Sequence, residues 1–229
     1  MSVIITDDKY MKGQKEIKAD SFDNLIKILK EKINNNPEAL NLWISLFSSL
    51  IKNNQVQQIV NEFEYLVNLL PTWTQFHSNI LEYFIKEGYI ELLISTFKKG
   101  LEFKSKNPVL YYGLGLIYQT VDLYDKALKV YEKALSLKPN FTVVYHNMGI
   151  TYACLNQIDK AIECSLEGIK NPLVVESYYL LATLFQKKGV ITPKYFERFI
   201  ELAPPYLSQY KRIAEETLKN LKKTYKVPM

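Results

Sequence analysis

Residues 108–141 read PVLYYGLGLIYQTVDLYDKALKVYEKALSLKPNF, and this stretch decides the fold. Tyr111, Leu114 and Tyr118 recur at spacings of three and four, so they share one face of a helix. Ala127, Tyr131 and Ala134 repeat the pattern in a second segment, which Pro139 ends. No segment of the chain alternates apolar and polar residues for long enough to form a strand. The stretch predicts a pair of helices joined by a short turn.

Prolines at 37, 71, 139, 172 and 204 each close an apolar helical pattern, at about the spacing of such a pair, which calls for a search for internal repeats. One step of 34 residues forward, a unit from Thr142 offers Tyr145, Met148, Gly149, Tyr152, Ala161, Gly168 and Pro172 at matching positions. One step back, a unit from Thr74 offers His77, Ile80, Leu81, Phe84, Phe97 and Gly100, and a further step to Leu40 gives Trp43, Leu46, Phe47, Leu50, Phe63 and Pro71. A fifth unit, from Val175, has Tyr178, Leu181, Ala182 and Phe185, then Phe196, Phe199 and Pro204.

The unit from Pro108, with Tyr111, Leu114, Gly115, Tyr118, Ala127, Tyr131, Ala134 and Pro139, resembles the tetratricopeptide repeat (TPR) at all its signature positions, with Tyr accepted for Trp and Phe. The resemblance implies an all-α, right-handed TPR superhelix (α-solenoid). In such a fold Gly115, Ala127 and Ala134 lie where paired helices cross, and their small size lets the backbones approach. The packing set then comprises Trp43, Tyr111, Leu114, Gly115, Tyr118, Ala127, Tyr131, Ala134, Pro139, Tyr145, Gly149, Tyr152 and Ala161. Leu66 and Leu93 stand where small residues belong, so the helices of the first two repeats are expected to splay or shift.

The organisation expected is a flexible arm (1–19), an N-terminal capping helix (20–39), five repeats (40–73, 74–107, 108–141, 142–174, 175–204) and a C-terminal capping helix with its tail (205–229). Phe22, Leu25, Ile26, Leu29 and Ile33 form the apolar face of the first cap. Leu207, Tyr210, Ala214, Leu218, Leu221 and Tyr225 form that of the second, needed because the last unit of an array otherwise exposes its core.

Composition narrows the function classes. At 48% hydrophobic and 23% charged, with 8 Gly and 9 Pro among 229 residues, the chain is an ordinary folded protein, and no apolar run reaches the roughly 18 residues of a membrane span. The start lacks the apolar stretch of a signal peptide. Cys154 and Cys164 make no disulfide framework or zinc-ligand spacing, which points to free thiols in a reducing, cytoplasmic setting. A net charge of +5 is too small to imply nucleic acid, and much of it sits at the C-terminus in Lys211, Arg212, Lys219, Lys222, Lys223 and Lys226.

No constellation for chemistry appears. Phosphate-loop, dinucleotide and zinc-protease motifs are missing, and His77 and His146, the two histidines, fall on different faces of different units. Glu62 with Glu64, and Glu215 with Glu216, read as solvated helix-surface pairs. The chain is therefore expected to be no enzyme, with no catalytic residue, cofactor or metal.

In the family, first helices of successive repeats line a concave groove. Here that maps onto Val109, Tyr112, Leu116, Val143, His146, Asn147, Ile150 and Tyr179, an apolar strip with polar ends at Gln75, Ser78 and Glu82 on one side and Glu176, Thr183 and Gln186 on the other. Contiguous exposed apolar surface marks interaction sites. The carboxylate clamp of some family members is not expected, because Tyr112 and Leu116 replace the Lys and Asn it requires and only Asn147 matches. The expected function is a protein-protein interaction adaptor or scaffold that binds a peptide or helical segment of a partner in the groove. A self-associating structural subunit and a nucleic-acid-binding helical repeat are the alternatives.

Overall fold

The computed structural model describes residues 3–4, 18–19 and 21–225. Among these, two-residue strands β1 (Val3–Ile4) and β2 (Lys18–Ala19) pair antiparallel, with Val3 opposite Ala19 and Ile4 opposite Lys18. This is an addition to the all-α expectation; the rest of the expected arm lies outside the described residues. All other regular structure among the described residues is helical.

The described residues fall into two compact units, one drawn from Met1–Leu70 and Phe76–Ser105, the other from Pro71–Gln75 and Lys106–Met229. The first holds α1 (Phe22–Asn35), α2 (Leu40–Lys52), α3 (Val56–Leu69), most of α4 (Thr74–Lys86) and α5 (Ile90–Phe103). Ser21 caps α1 by accepting the N–H of Asn24 at 3.2 Å, and Leu25, Ile26, Leu29 and Ile33 bury the face that the periodicity predicts. Trp43 is fully buried with its indole N–H donating to the Pro37 carbonyl at 2.9 Å, so the proline that separates α1 from α2 also supplies the acceptor the ring needs. Phe63 and Phe97 meet edge to face at 5.0 Å in the same core.

One expectation for this unit is corrected. Glu62 is buried, not solvated, because it lies on the face of α3 turned to α1, where its Oε1 accepts from Lys30 Nζ at 2.8 Å. Glu64, two residues on, points elsewhere and pairs with Lys104 at 2.8 Å.

The second unit holds α6 (Pro108–Thr120), α7 (Tyr124–Leu137), α8 (Thr142–Cys154), α9 (Ile158–Gly168), α10 (Glu176–Lys187), α11 (Pro193–Leu202), a 3-10 turn (Pro205–Leu207) and α12 (Ser208–Tyr225). Asn107 caps α6 by accepting the N–H of Val109 at 2.9 Å, and Pro108 occupies the first turn, where its missing N–H costs nothing. The backbones of α6 and α7, and of α8 and α9, run closely together, whereas α2 and α3 approach at far fewer places. Residue size explains the difference: Gly115, Ala127 and Ala134 are buried at the first crossing, and Leu66 is buried at the last.

The turns inside the helix pairs share one geometry. Asn54, Gly88, Asp122, Asn156 and Gly189 all have positive φ; the first four follow one another at intervals of 34 residues, and Gly189 comes 33 after Asn156. The following residue in each case donates its N–H to the carbonyl five places back: Gln55 to Leu50, Tyr89 to Phe84, Leu123 to Tyr118, Gln157 to Tyr152 and Val190 to Phe185. Each first helix thus ends in the left-handed C-cap that Gly and Asn tolerate best. At the end of the unit, Ala214 of α12 is fully buried with Phe196, Phe199 and Leu207, and Lys222 reaches Glu197 of α11 at 2.9 Å. The Tyr225 side chain expected in this stripe lies outside the described residues.

Candidate functional site

The eight residues expected to line an open groove do not share one environment. Val109, Tyr112, Leu116, Val143, His146 and Asn147 are all buried, while Ile150 and Tyr179 keep part of their surface. Tyr112 has no exposed surface; its ring lies 5.4 Å from Phe141, and Asn147 hydrogen-bonds it. Burial above all, and then the nearby Glu176 carboxylate, push its phenol well above the usual range. The strip is therefore interior wall along most of its length, and its accessible part is the end at Ile150 and Tyr179.

That end is a cleft of about 180 Å³. His146 and Ile150 of α8 and Glu176, Tyr179, Leu180 and Thr183 of α10 line it, at spacings that put each set on one helix face. Gln75, Phe199, Leu207 and Tyr210 complete the walls. Tyr179 stands at the aromatic corner, 5.1 Å from Phe199 and 5.5 Å edge-on from Tyr210. Tyr210 is 40% exposed and forms the rim.

Gln75 and Glu176, expected at opposite polar ends of the strip, come together although 101 residues separate them. The Gln75 backbone N–H makes a long contact of 3.5 Å to Glu176 Oε1, and the Tyr206 hydroxyl donates to the same oxygen at 3.0 Å. The Tyr206 ring also packs at a tilt against Trp73, ring centres 4.5 Å apart, so Pro71–Gln75 is fastened to the turn that precedes α12. Glu176 is 8% exposed, and its Oε2 has no hydrogen-bond partner among the described residues. Burial raises the carboxyl above its ordinary pKa, against the hydrogen bonds from its own backbone, the Tyr206 and Thr74 side chains and the Gln75 backbone.

His146 lies beside this group, Nδ1 3.0 Å from Ser177 Oγ, and burial lowers its pKa to about 4, so the ring is neutral near pH 7. His77, in the other unit, is lowered to about 3 by burial, against a backbone hydrogen bond with Leu70. Cys154 is exposed and Cys164 half-buried, both as free thiols; burial and then Glu163 and Glu167 push Cys164 up to about 11. Among the described residues no group of His, Cys, Asp and Glu is arranged to hold a metal, and no helix is long and apolar enough to cross a membrane.

Sequence reasoning assigned Phe199, Leu207 and Tyr210 to packing and capping, and did not single out Tyr206. One signal was available: Glu176 is the sole charged residue between Asn171 and Gln186, in a run otherwise fit for burial. A lone carboxylate in such a run is a candidate for a function beyond solubility.

This architecture defines a helical repeat protein. More particularly, the chain contains tetratricopeptide repeats: family models described as tetratricopeptide repeat match residues 108–141 and 130–163. No curated protein matches the sequence significantly. Among solved structures, YrrB, a TPR protein with an unusual peptide-binding site, is 19% identical with a TM-score of 0.50, over 85% of this chain and 99% of that one. The APC/C hetero-tetramer Cut9-Hcn1 is similar at 16% identity and a TM-score of 0.51, over 87% of this chain and 39% of that one. MamA is 19% identical with a TM-score of 0.49, over 67% of this chain and 91% of that one. At these identities the likeness concerns the fold.

Proposed function

We propose that this protein is a non-catalytic adaptor that binds a peptide or helical segment of a partner protein in the cleft between α8, α10 and α12, in a reducing, cytoplasmic setting. One observation carries the reading: within the second unit, an apolar and aromatic wall at Ile150 and Tyr179, backed by the buried Phe199 and Leu207, remains partly open to solvent at a rim formed by Tyr210. Concave, mainly apolar surface with a few polar groups is the usual form of a recognition site. The similarity to YrrB supports the same reading, since that protein is described as having a peptide-binding site. The two free cysteines support the reducing setting.

The test is selection of a random peptide display library on the full chain, followed by binding of the enriched peptides to an Ile150→Asp, Tyr179→Ala variant. Peptides that bind the parent and lose at least tenfold in affinity on the variant support the proposal. Enriched peptides that bind both equally would move the site elsewhere, and a library yielding none would remove the peptide-binding reading.

A further inference from the structure

Resting on the peptide-binding reading, we infer that the cleft is a receptor for one basic side chain, lysine or arginine, of the bound segment, with Glu176 as its counter-charge. The cleft is smaller than the roughly 300–1,000 Å³ of small-molecule sites, which suits a single side chain. Among the described residues its walls carry one carboxylate and no Lys or Arg, and the imidazole beside that carboxylate is held neutral by burial. A carboxylate taken out of water is costly unless charge-paired or fully hydrogen-bonded. Here Tyr206 and Gln75 donate to Oε1, the Thr74 hydroxyl and the residue's own backbone N–H also bear on the carboxylate, and all of these donors are neutral. The protein therefore holds a buried carboxylate met by neutral donors and by no cation among the described residues that line the cleft.

The rest of the wall fits the same occupant. Lysine and arginine carry an apolar stem and a charged head. Ile150, Leu180 and Leu207 offer apolar contact for a stem. Tyr179, Phe199 and Tyr210 present ring surface, and such faces attract a cation within about 6 Å. A carboxylate ligand meets the opposite conditions, because Glu176 would repel it and the lining has no cationic partner for it.

The same selection tests the proposal. Peptides enriched through the cleft are expected to share one Lys or Arg position, and replacing that residue by norleucine should weaken binding to the parent protein at least tenfold. On Glu176→Gln, which keeps size and an acceptor oxygen for Tyr206, the same replacement should change affinity less than twofold. Cleft-dependent peptides without a basic residue, or a norleucine peptide that binds the parent as well as the lysine peptide, would overturn the inference while leaving the peptide-binding proposal standing. Peptides insensitive to the Ile150→Asp, Tyr179→Ala change would overturn both. The norleucine comparison on the parent decides the matter even where Glu176→Gln folds poorly.

Discussion

The ring of Tyr131 on α7 occupies the space in which Gly115 on α6 would carry a side chain: an ideal Cβ at Gly115 would lie 2.2 Å from Tyr131 Cε1. Tyr131 has no room to retreat, being fully buried, with its hydroxyl donating to Gln119 Oε1 at 2.7 Å.

Gly115→Ala should accordingly destabilise the chain although alanine is the better helix former by about 1 kcal/mol. Overpacking of a rigid aromatic contact costs about 1–3 kcal/mol and outweighs that gain. Urea unfolding of the variant beside the parent checks it. An unchanged midpoint would mean that α6 and α7 are not in this close contact in solution.

The pair Lys30–Glu62 gives an asymmetric prediction. Glu62 is 3% exposed, whereas the Lys30 side chain is 42% exposed. Lys30→Met leaves a carboxylate in the interior without its cation, while Glu62→Gln removes the charge and frees the lysine to water. The lysine variant should lose about 1–3 kcal/mol, the scale for stranding a buried polar group, and the glutamine variant less. Equal losses in chemical unfolding would show that the bridge acts as an ordinary surface pair.

Acid should weaken the fold through its two histidines. Their folded pKa values, about 3 for His77 and about 4 for His146, lie below the ordinary 6.5, so the unfolded state binds more protons across that interval. Stability therefore rises with pH there. The contribution is complete above 6.5 and is lost as pH falls toward 4 for His146 and toward 3 for His77. Glu176, raised by burial, opposes this, because its protonated form is favoured in the folded state. Unfolding free energies measured between pH 4 and 7 should slope upward, and a double His77→Gln, His146→Gln variant should have a shallower slope.

Deleting residues 205–229 should expose Phe196 and Phe199, which Leu207 and Ala214 help to bury. The truncated chain is expected to aggregate or unfold at lower temperature than the parent, as uncapped repeat arrays do. Light scattering on heating, with the two chains at equal concentration, reads the difference. Matching traces would show that α12 is no cap.

The helix pairs, their period and their close crossings were legible in the sequence because each depends on residues near in the chain. Helical spacing is set within a few residues, and Gly115 and Ala134 record how near two neighbouring helices can come. The turn residues Asn54, Gly88, Asp122 and Asn156 carry the same period in residue types that tolerate positive φ. The environment of the groove was not legible. Tyr112 and Ile150 occupy equivalent kinds of position on first helices, yet one is fully buried and the other lines an open cleft. Gln75 reaches Glu176 across 101 residues, through a segment that leaves its neighbours in sequence to join the second unit. Periodicity states which face of a helix turns inward. Which distant segment meets that face depends on the path of the whole backbone, and only the tertiary structure fixes that path.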